Sequence, residues 1–162
     1  MTGKTDQRRC IATVRVRGTI SASLEARETL KMLHLTKNNY AVLIDDRESF
    51  IGMVNTVRDY ITYGEPSKEI VTLLIKKRGR LEGNKKLMPE YARKVGYQSL
   101  EDLAAAVHGC RMEYWKLPDI QTVFRLHPPT KGYKGNIKKG YSSGGELGYR
   151  GDKIDKLLER MV

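Results

Sequence analysis

Hydrophobic and polar positions in the first 65 residues show two kinds of repeat, one of two residues and one of three to four residues. Over residues 11–17 they alternate, which predicts a strand with one buried face and a basic outer face that carries Arg15 and Arg17. Elsewhere apolar residues recur every three or four positions, as in an amphipathic helix. The predicted order is a strand over 11–17, a helix from a cap at Ser21 or Ser23 to Leu33, a strand over 40–44, a helix over 50–59 and a strand over 60–63. This β-α-β-α-β order indicates an α+β fold.

Helical patterns dominate the chain beyond this point. Ser67 and Ser99 occupy the N-cap positions of two further helices, and Asp152 precedes a third helix that closes the chain. We therefore expect a β-α-β-α-β core over 1–65 and a basic, helical extension over 66–162.

The stretch 124–149, called the glycine-rich segment below, has a different composition. It combines a Pro-Pro pair with many glycines, four lysines and spaced tyrosines, and it contains few aliphatic residues. Such a segment buries too little apolar surface to offset the entropy lost on ordering. We expect an anionic partner to order it; a flexible, solvated loop is the alternative.

The net charge points to the same kind of partner. Thirty Lys and Arg residues against nineteen Asp and Glu residues give a charge of +11. A polyanion explains such an excess, with nucleic acid the leading candidate and an anionic membrane surface second. The sequence has no apolar run of about 18 residues, so we expect no membrane-spanning segment.

Basic and aromatic side chains supply the predicted RNA contacts. Lysine and arginine neutralise phosphates, while tyrosine can stack on unpaired bases. For Arg15 and Arg17, a solvent-facing role that keeps the sheet from aggregating is an equally good interpretation. The predicted contact residues are Arg15, Arg17, Arg78, Arg80, Lys85, Lys86, Lys131, Lys134, Lys138, Lys139, Tyr133 and Tyr141.

Signals for catalysis are weak. Asp45, Asp46 and Glu48 suggest a Mg²⁺-dependent nuclease, but adjacent acids after a strand are more often a solvated turn, and neighbouring side chains diverge. The two cysteines, Cys10 and Cys110, are best interpreted as reduced, packed thiols. We expect no enzymatic activity, no catalytic or metal site, no cofactor and no small-molecule substrate.

Five short stretches, taken in order, are distinctive. They are IATVRVRG at 11–18, RESFIGMVN at 47–55, FRLHPPTKG at 124–132, GGELG at 144–148 and IDKLLERM at 154–161. Together they resemble the large-subunit ribosomal protein L-thirty family in its long, archaeal-type form. The short bacterial form ends near Tyr63, so nothing about the extension carries over from it.

This resemblance implies a three-stranded antiparallel sheet backed by two helices, similar to a ferredoxin-like arrangement. It implies a structural constituent of the large ribosomal subunit in the cytoplasm, bound to large-subunit rRNA and beside other ribosomal proteins. For long archaeal-type members it also implies proximity to 5S rRNA. The alternative is a free-standing RNA-binding factor that acts in regulation or processing.

Overall fold

The computed structural model describes residues 8–162, and its first five elements follow the predicted β-α-β-α-β order. These are β1 (Cys10–Arg15), α1 (Leu24–Met32), β2 (Tyr40–Asp45), α2 (Glu48–Val57) and β3 (Ile61–Gly64). The extension adds α3 (Lys68–Arg78), α4 (Pro89–Lys94), α5 (Leu100–His108), β4 (Phe124–Arg125), β5 (Asn136–Gly140), β6 (Gly145–Tyr149) and α6 (Ile154–Met161).

Serine hydroxyls start three of the helices, as their positions in the sequence indicate. The side chains of Ser23, Ser67 and Ser99 each accept a hydrogen bond from the backbone N–H three residues later, at 3.2, 3.4 and 3.2 Å. Such a cap satisfies an N–H that the helix itself leaves without a partner. The predicted cap at Asp152 is wrong: this residue lies in a 3₁₀ turn, and α6 begins two residues later without a side-chain cap.

The sheet has six strands rather than the expected three. β1 lies between β2 and β3 and is antiparallel to both, so the expected three-stranded antiparallel sheet is present as the centre. The full order is β4-β2-β1-β3-β6-β5. β4 adds two residues beside β2, and β6 runs parallel to β3. All three additional strands come from the glycine-rich segment, whose composition did not indicate strands.

Helices cover both faces of the central strands. On one face α1 and α2 pack on Ile11, Val42 and Ile61, and on the other α3 to α6 pack on Ala12 and Val14. All six residues of β1 are therefore buried. The predicted basic outer face of this strand is wrong, because the chain's own first two helices cover the face on which Arg15 lies.

Contacts within the chain anchor both ends of the glycine-rich segment. Phe124 is fully buried and stacks on Tyr114 with ring centroids 4.9 Å apart, while Leu147 in β6 is 5% exposed. Gly145 is required there, since a Cβ at this position would lie 2.0 Å from the backbone oxygen of Lys139. The expectation that only an external partner orders this segment is thus wrong at its ends. β5, in contrast, is exposed along its whole length.

One hydrophobic core continues across the predicted boundary at residue 65. Val14 and Leu43 of the central sheet share it with Leu74 of α3 and Leu157 of α6. The extension is therefore packed on the β-α-β-α-β part rather than tethered to it. Within residues 8–162, none of the helices combines the length and the apolar character that crossing a membrane requires.

Candidate nucleic-acid interface

Arg15 is an internal residue. It is 7% exposed, and its guanidinium donates to the backbone oxygen of Leu35 at 3.0 Å, to that of Arg17 at 3.2 Å and to the hydroxyl of Thr19 at 3.0 Å. Burial lowers its pKa from the ordinary value of an arginine. These bonds hold the loop between β1 and α1 in place, and they leave the guanidinium facing protein rather than an outside ligand.

Arg17 lies just beyond the end of β1 and is half-buried. Its guanidinium sits over the ring of Tyr60, with the central carbon 5.6 Å from the ring centroid. Its backbone N–H donates to the carbonyl of the same tyrosine at 3.1 Å. Because the guanidinium has a face-on aromatic contact and remains accessible, Arg17 can still approach a phosphate.

Four predicted contact residues lie at the end of α3 and in the turn that follows it. Arg80 and Lys86 pair across a short antiparallel bridge, and the N–H of Leu81 donates to the carbonyl of Lys85 at 2.8 Å. Both lysines are exposed, whereas Arg78 at the end of α3 and Arg80 are half-buried. The turn thus gathers residues that are eight positions apart into one basic patch.

The lysines of the glycine-rich segment all reach the surface. Lys131, Lys134, Lys138 and Lys139 are exposed. None of them forms an ion pair with a carboxylate among the residues that the structure describes. Their charges are therefore uncompensated and available to an anionic ligand.

The two predicted tyrosines differ in their surroundings. Tyr133 packs against the core, and its hydroxyl donates to Oδ1 of Asn39 at 3.1 Å. Burial raises its pKa. Tyr141 is half-exposed, and the guanidinium of Arg150 lies over its ring at 4.9 Å. Of the two rings, Tyr141 is the one with an accessible surface suited to a nucleic-acid base.

A basic cavity lies between the glycine-rich segment and α6, and we call it the C-terminal cleft. Its volume is about 470 Å³. It brings two predicted contacts, Lys134 and Tyr141, together with four basic residues that the sequence analysis missed. The residues that define the cleft are Lys134, Tyr141, Arg150, Lys153, Lys156 and Arg160. In the sequence, Lys153, Lys156 and Arg160 look like ordinary polar residues of a terminal helix, and Arg150 is a single basic residue just before it.

A buried ion pair forms one wall of the cleft. Arg150 donates to a carboxylate oxygen of Glu146 at 2.6 Å and to its backbone oxygen at 2.7 Å. It also donates to the hydroxyl of Thr62 in β3 at 2.7 Å. The other carboxylate oxygen of Glu146 accepts the N–H of Gly135 at 2.8 Å. This network ties the glycine-rich segment to the central sheet.

The acidic residues considered for a nuclease do not form an open carboxylate cluster. Asp45 is 2% exposed and accepts two hydrogen bonds from the guanidinium of Arg47, at 2.8 and 2.7 Å, and one from its backbone N–H at 3.2 Å. Burial raises the pKa of Asp45, but the hydrogen bonds and charge of Arg47 outweigh burial, and the net pKa is below the ordinary value. Within residues 8–162, no group of three or more His, Cys, Asp or Glu side chains is arranged to hold a metal ion.

Comparison with known proteins supplies the context for this basic surface. Residues 11–61 match ribosomal protein L30p/L7e. Over 151 residues the chain is 48% identical to the large ribosomal subunit protein uL30 of Archaeoglobus fulgidus, covering 93% of this chain and 98% of that protein. The chain belongs to the ribosomal protein L30p/L7e family. The resemblance that the five sequence stretches suggested is confirmed.

Two further relatives show that the likeness to L30p/L7e proteins includes the extension. The uL30 proteins of Methanococcus maripaludis and Methanopyrus kandleri are 45% and 44% identical to this chain. The alignments cover 93% and 91% of this chain, and 98% and 100% of those proteins. The match to L30p/L7e at 11–61 contains the β-α-β-α part, and the C-terminal cleft lies outside those residues.

Proposed function

We propose that this chain is a structural constituent of the large ribosomal subunit that binds large-subunit rRNA and stabilises its packing. The observation that carries the proposal is the near-complete alignment with proteins named large ribosomal subunit protein uL30. The net charge of +11 supports it, because a surface with so many uncompensated cations needs a polyanion.

The fold supports a mechanism based on fixed cations. The turn after α3 and the C-terminal cleft both belong to segments packed on the hydrophobic core, so the backbone that carries their basic side chains has a defined position before RNA binds. A preorganised set of cations loses less entropy on binding than a flexible one. Phosphates of converging rRNA segments would be neutralised at these positions, and the role of the chain is structural rather than catalytic.

The neighbours that we propose are large-subunit rRNA, 5S rRNA and adjacent ribosomal proteins, in the cytoplasmic ribosome. The basic turn at 78–86 and the lysines at 131–139 lie on different elements of the fold, and two such basic sites support contact with more than one RNA segment. Binding measured separately to 5S rRNA and to large-subunit rRNA would distinguish the two. Failure of 5S rRNA to bind would remove it from the list without affecting the proposal for large-subunit rRNA.

Two exposed lysines of β5 provide a direct test. Each phosphate contact contributes about 0.9 to the slope of log affinity against log salt concentration. Replacing Lys138 and Lys139 together by alanine should therefore weaken binding to large-subunit rRNA and flatten that slope by about 1.8.

The matched control replaces two lysines that have carboxylate partners. Lys31 pairs with Glu28, and Lys116 pairs with Glu113. The double variant Lys31→Ala, Lys116→Ala carries the same change in net charge and should leave the slope unchanged. Equal slopes for all three proteins would exclude β5 from the RNA interface, and a wild-type chain that does not bind rRNA would refute the proposed function.

A further inference from the structure

The C-terminal cleft has the charge of an anion-binding site. Five basic side chains line it against one acidic side chain, Glu146, and that carboxylate is already paired with Arg150. Arg160 donates to the backbone oxygen of Gly132 at 2.8 Å, and because this partner is neutral it does not compensate the charge of the guanidinium. Within residues 8–162, the other three cations of the cleft form no ion pair with a carboxylate. A polyanion segment would satisfy this local excess of positive charge.

The cleft also offers an aromatic surface whose position is fixed. Arg150 lies over one face of Tyr141 and is itself held by bonds to Thr62 and Glu146. One face of the tyrosine ring is therefore held by Arg150, while the side chain remains half-exposed to the cavity. Leu157 adds an apolar side chain to the lining of the cleft. A ring supported in this way suits base stacking, which is tolerant of base identity.

The size of the cleft suits one nucleotide. A volume of about 470 Å³ lies within the range of pockets for small ligands. Proteins recognise paired RNA mainly through helix shape, whereas unpaired bases can be splayed out and stacked on aromatic side chains. The cleft has basic side chains around one aromatic ring, so a base could stack on the ring while phosphates of the same strand contact the basic side chains.

We propose that the C-terminal cleft binds one unpaired nucleotide of an RNA strand. Its base stacks on Tyr141, and the flanking phosphates contact Lys134, Lys153 and Lys156. This assignment rests on the proposed function, because rRNA is the RNA that the chain would meet. It adds a specific claim that a general basic surface does not make: at this position the RNA is single-stranded.

The test uses the full chain and large-subunit rRNA, with variants that separate charge from stacking. Lys153→Ala with Lys156→Ala should flatten the salt slope by about 1.4, the value for two contacts to a single strand. Tyr141→Ala should weaken binding about 5- to 150-fold, the effect of one lost base stack, at an unchanged slope. Tyr141→Phe keeps the ring and should bind like the wild type.

Matched controls make each outcome decisive. The Lys31→Ala, Lys116→Ala variant should show the wild-type slope, and thermal unfolding confirms that each variant is folded. If the wild type binds rRNA while the lysine and Tyr141→Ala variants bind equally well, the cleft is not an RNA site and the proposed function stands. A slope change without any loss in Tyr141→Ala would overturn the nucleotide assignment. Competition by a free mononucleotide as effective as the RNA itself would overturn the assignment to a strand.

Discussion

Replacing Arg15 by methionine should destabilise the fold without changing the salt dependence of RNA binding. Methionine retains much of the aliphatic packing but removes three hydrogen bonds, of which the one to Leu35 is buried. A hydrogen bond from a charged donor contributes about 1.5–3 kcal/mol. Relief of the cost of burying the charge offsets part of the loss, so we expect the free energy of unfolding to fall by about 2–4 kcal/mol.

Urea and thermal unfolding measure this change directly. In a domain of this size a loss of 1 kcal/mol lowers the melting temperature by about 2–4 °C, so Arg15→Met should lower it by about 5–15 °C. Arg17→Met is the matched control, because Arg17 is half-buried and its guanidinium makes a contact with the Tyr60 ring rather than buried hydrogen bonds. It should cost about 1 kcal/mol or less. If Arg15→Met kept wild-type stability and flattened the salt slope of rRNA binding, Arg15 would be an RNA contact and the structural role would be refuted.

Two further predictions concern buried carboxylates. Glu146→Ala leaves the guanidinium of Arg150 buried without its partner, so the free energy of unfolding should fall by about 3–5 kcal/mol in denaturant titrations; a loss below 1 kcal/mol would show that this pair does not anchor the segment. The pKa of Asp45 is lower in the fold than its ordinary value of 3.8, so its contribution to stability is present above that pH and is lost as pH falls through the lower, folded value. Asp45→Asn should therefore lose less stability than the wild type as the pH falls, as measured by denaturant titrations at a series of acid pH values. If the free energy of unfolding fell equally with pH in both proteins, Arg47 would not lower the pKa of Asp45.

Local patterns in the sequence predicted local structure well. The strand and helix order of the first part and the caps at Ser23, Ser67 and Ser99 all depend on residues within a few positions of each other. Alternation in β1 also showed correctly which side chains share a face. It does not reveal what covers the second face, and for this reason the sequence places Arg15 at the surface although α1 and α2 cover that face of the sheet.

Composition was a poor guide to the glycine-rich segment. A few anchors fix it, namely Phe124, Leu147 and the Glu146–Arg150 pair, and their effect comes from tertiary contacts with the central sheet. Average apolar content does not show such contacts. Because β5 remains exposed, the expectation that an anionic partner orders the segment stays a prediction for that strand.

The C-terminal cleft depends on contacts between distant residues in the same way. Lys134 and Tyr141 lie in a segment of unusual composition, whereas Lys156 and Arg160 belong to a short amphipathic helix with an unremarkable polar face, and Lys153 lies in the 3₁₀ turn before it. Only the packing of α6 against the glycine-rich segment places these residues around one cavity. Residue spacing along the chain contains no signal for that arrangement.

The most direct test of the central claim is to sediment large ribosomal subunits through a high-salt wash and quantify this chain by mass spectrometry. A structural constituent should remain with the subunit in the same amount as the other proteins of the particle. Release of the chain into the wash, with rRNA and the other proteins retained, would contradict this account and favour a free-standing RNA-binding factor.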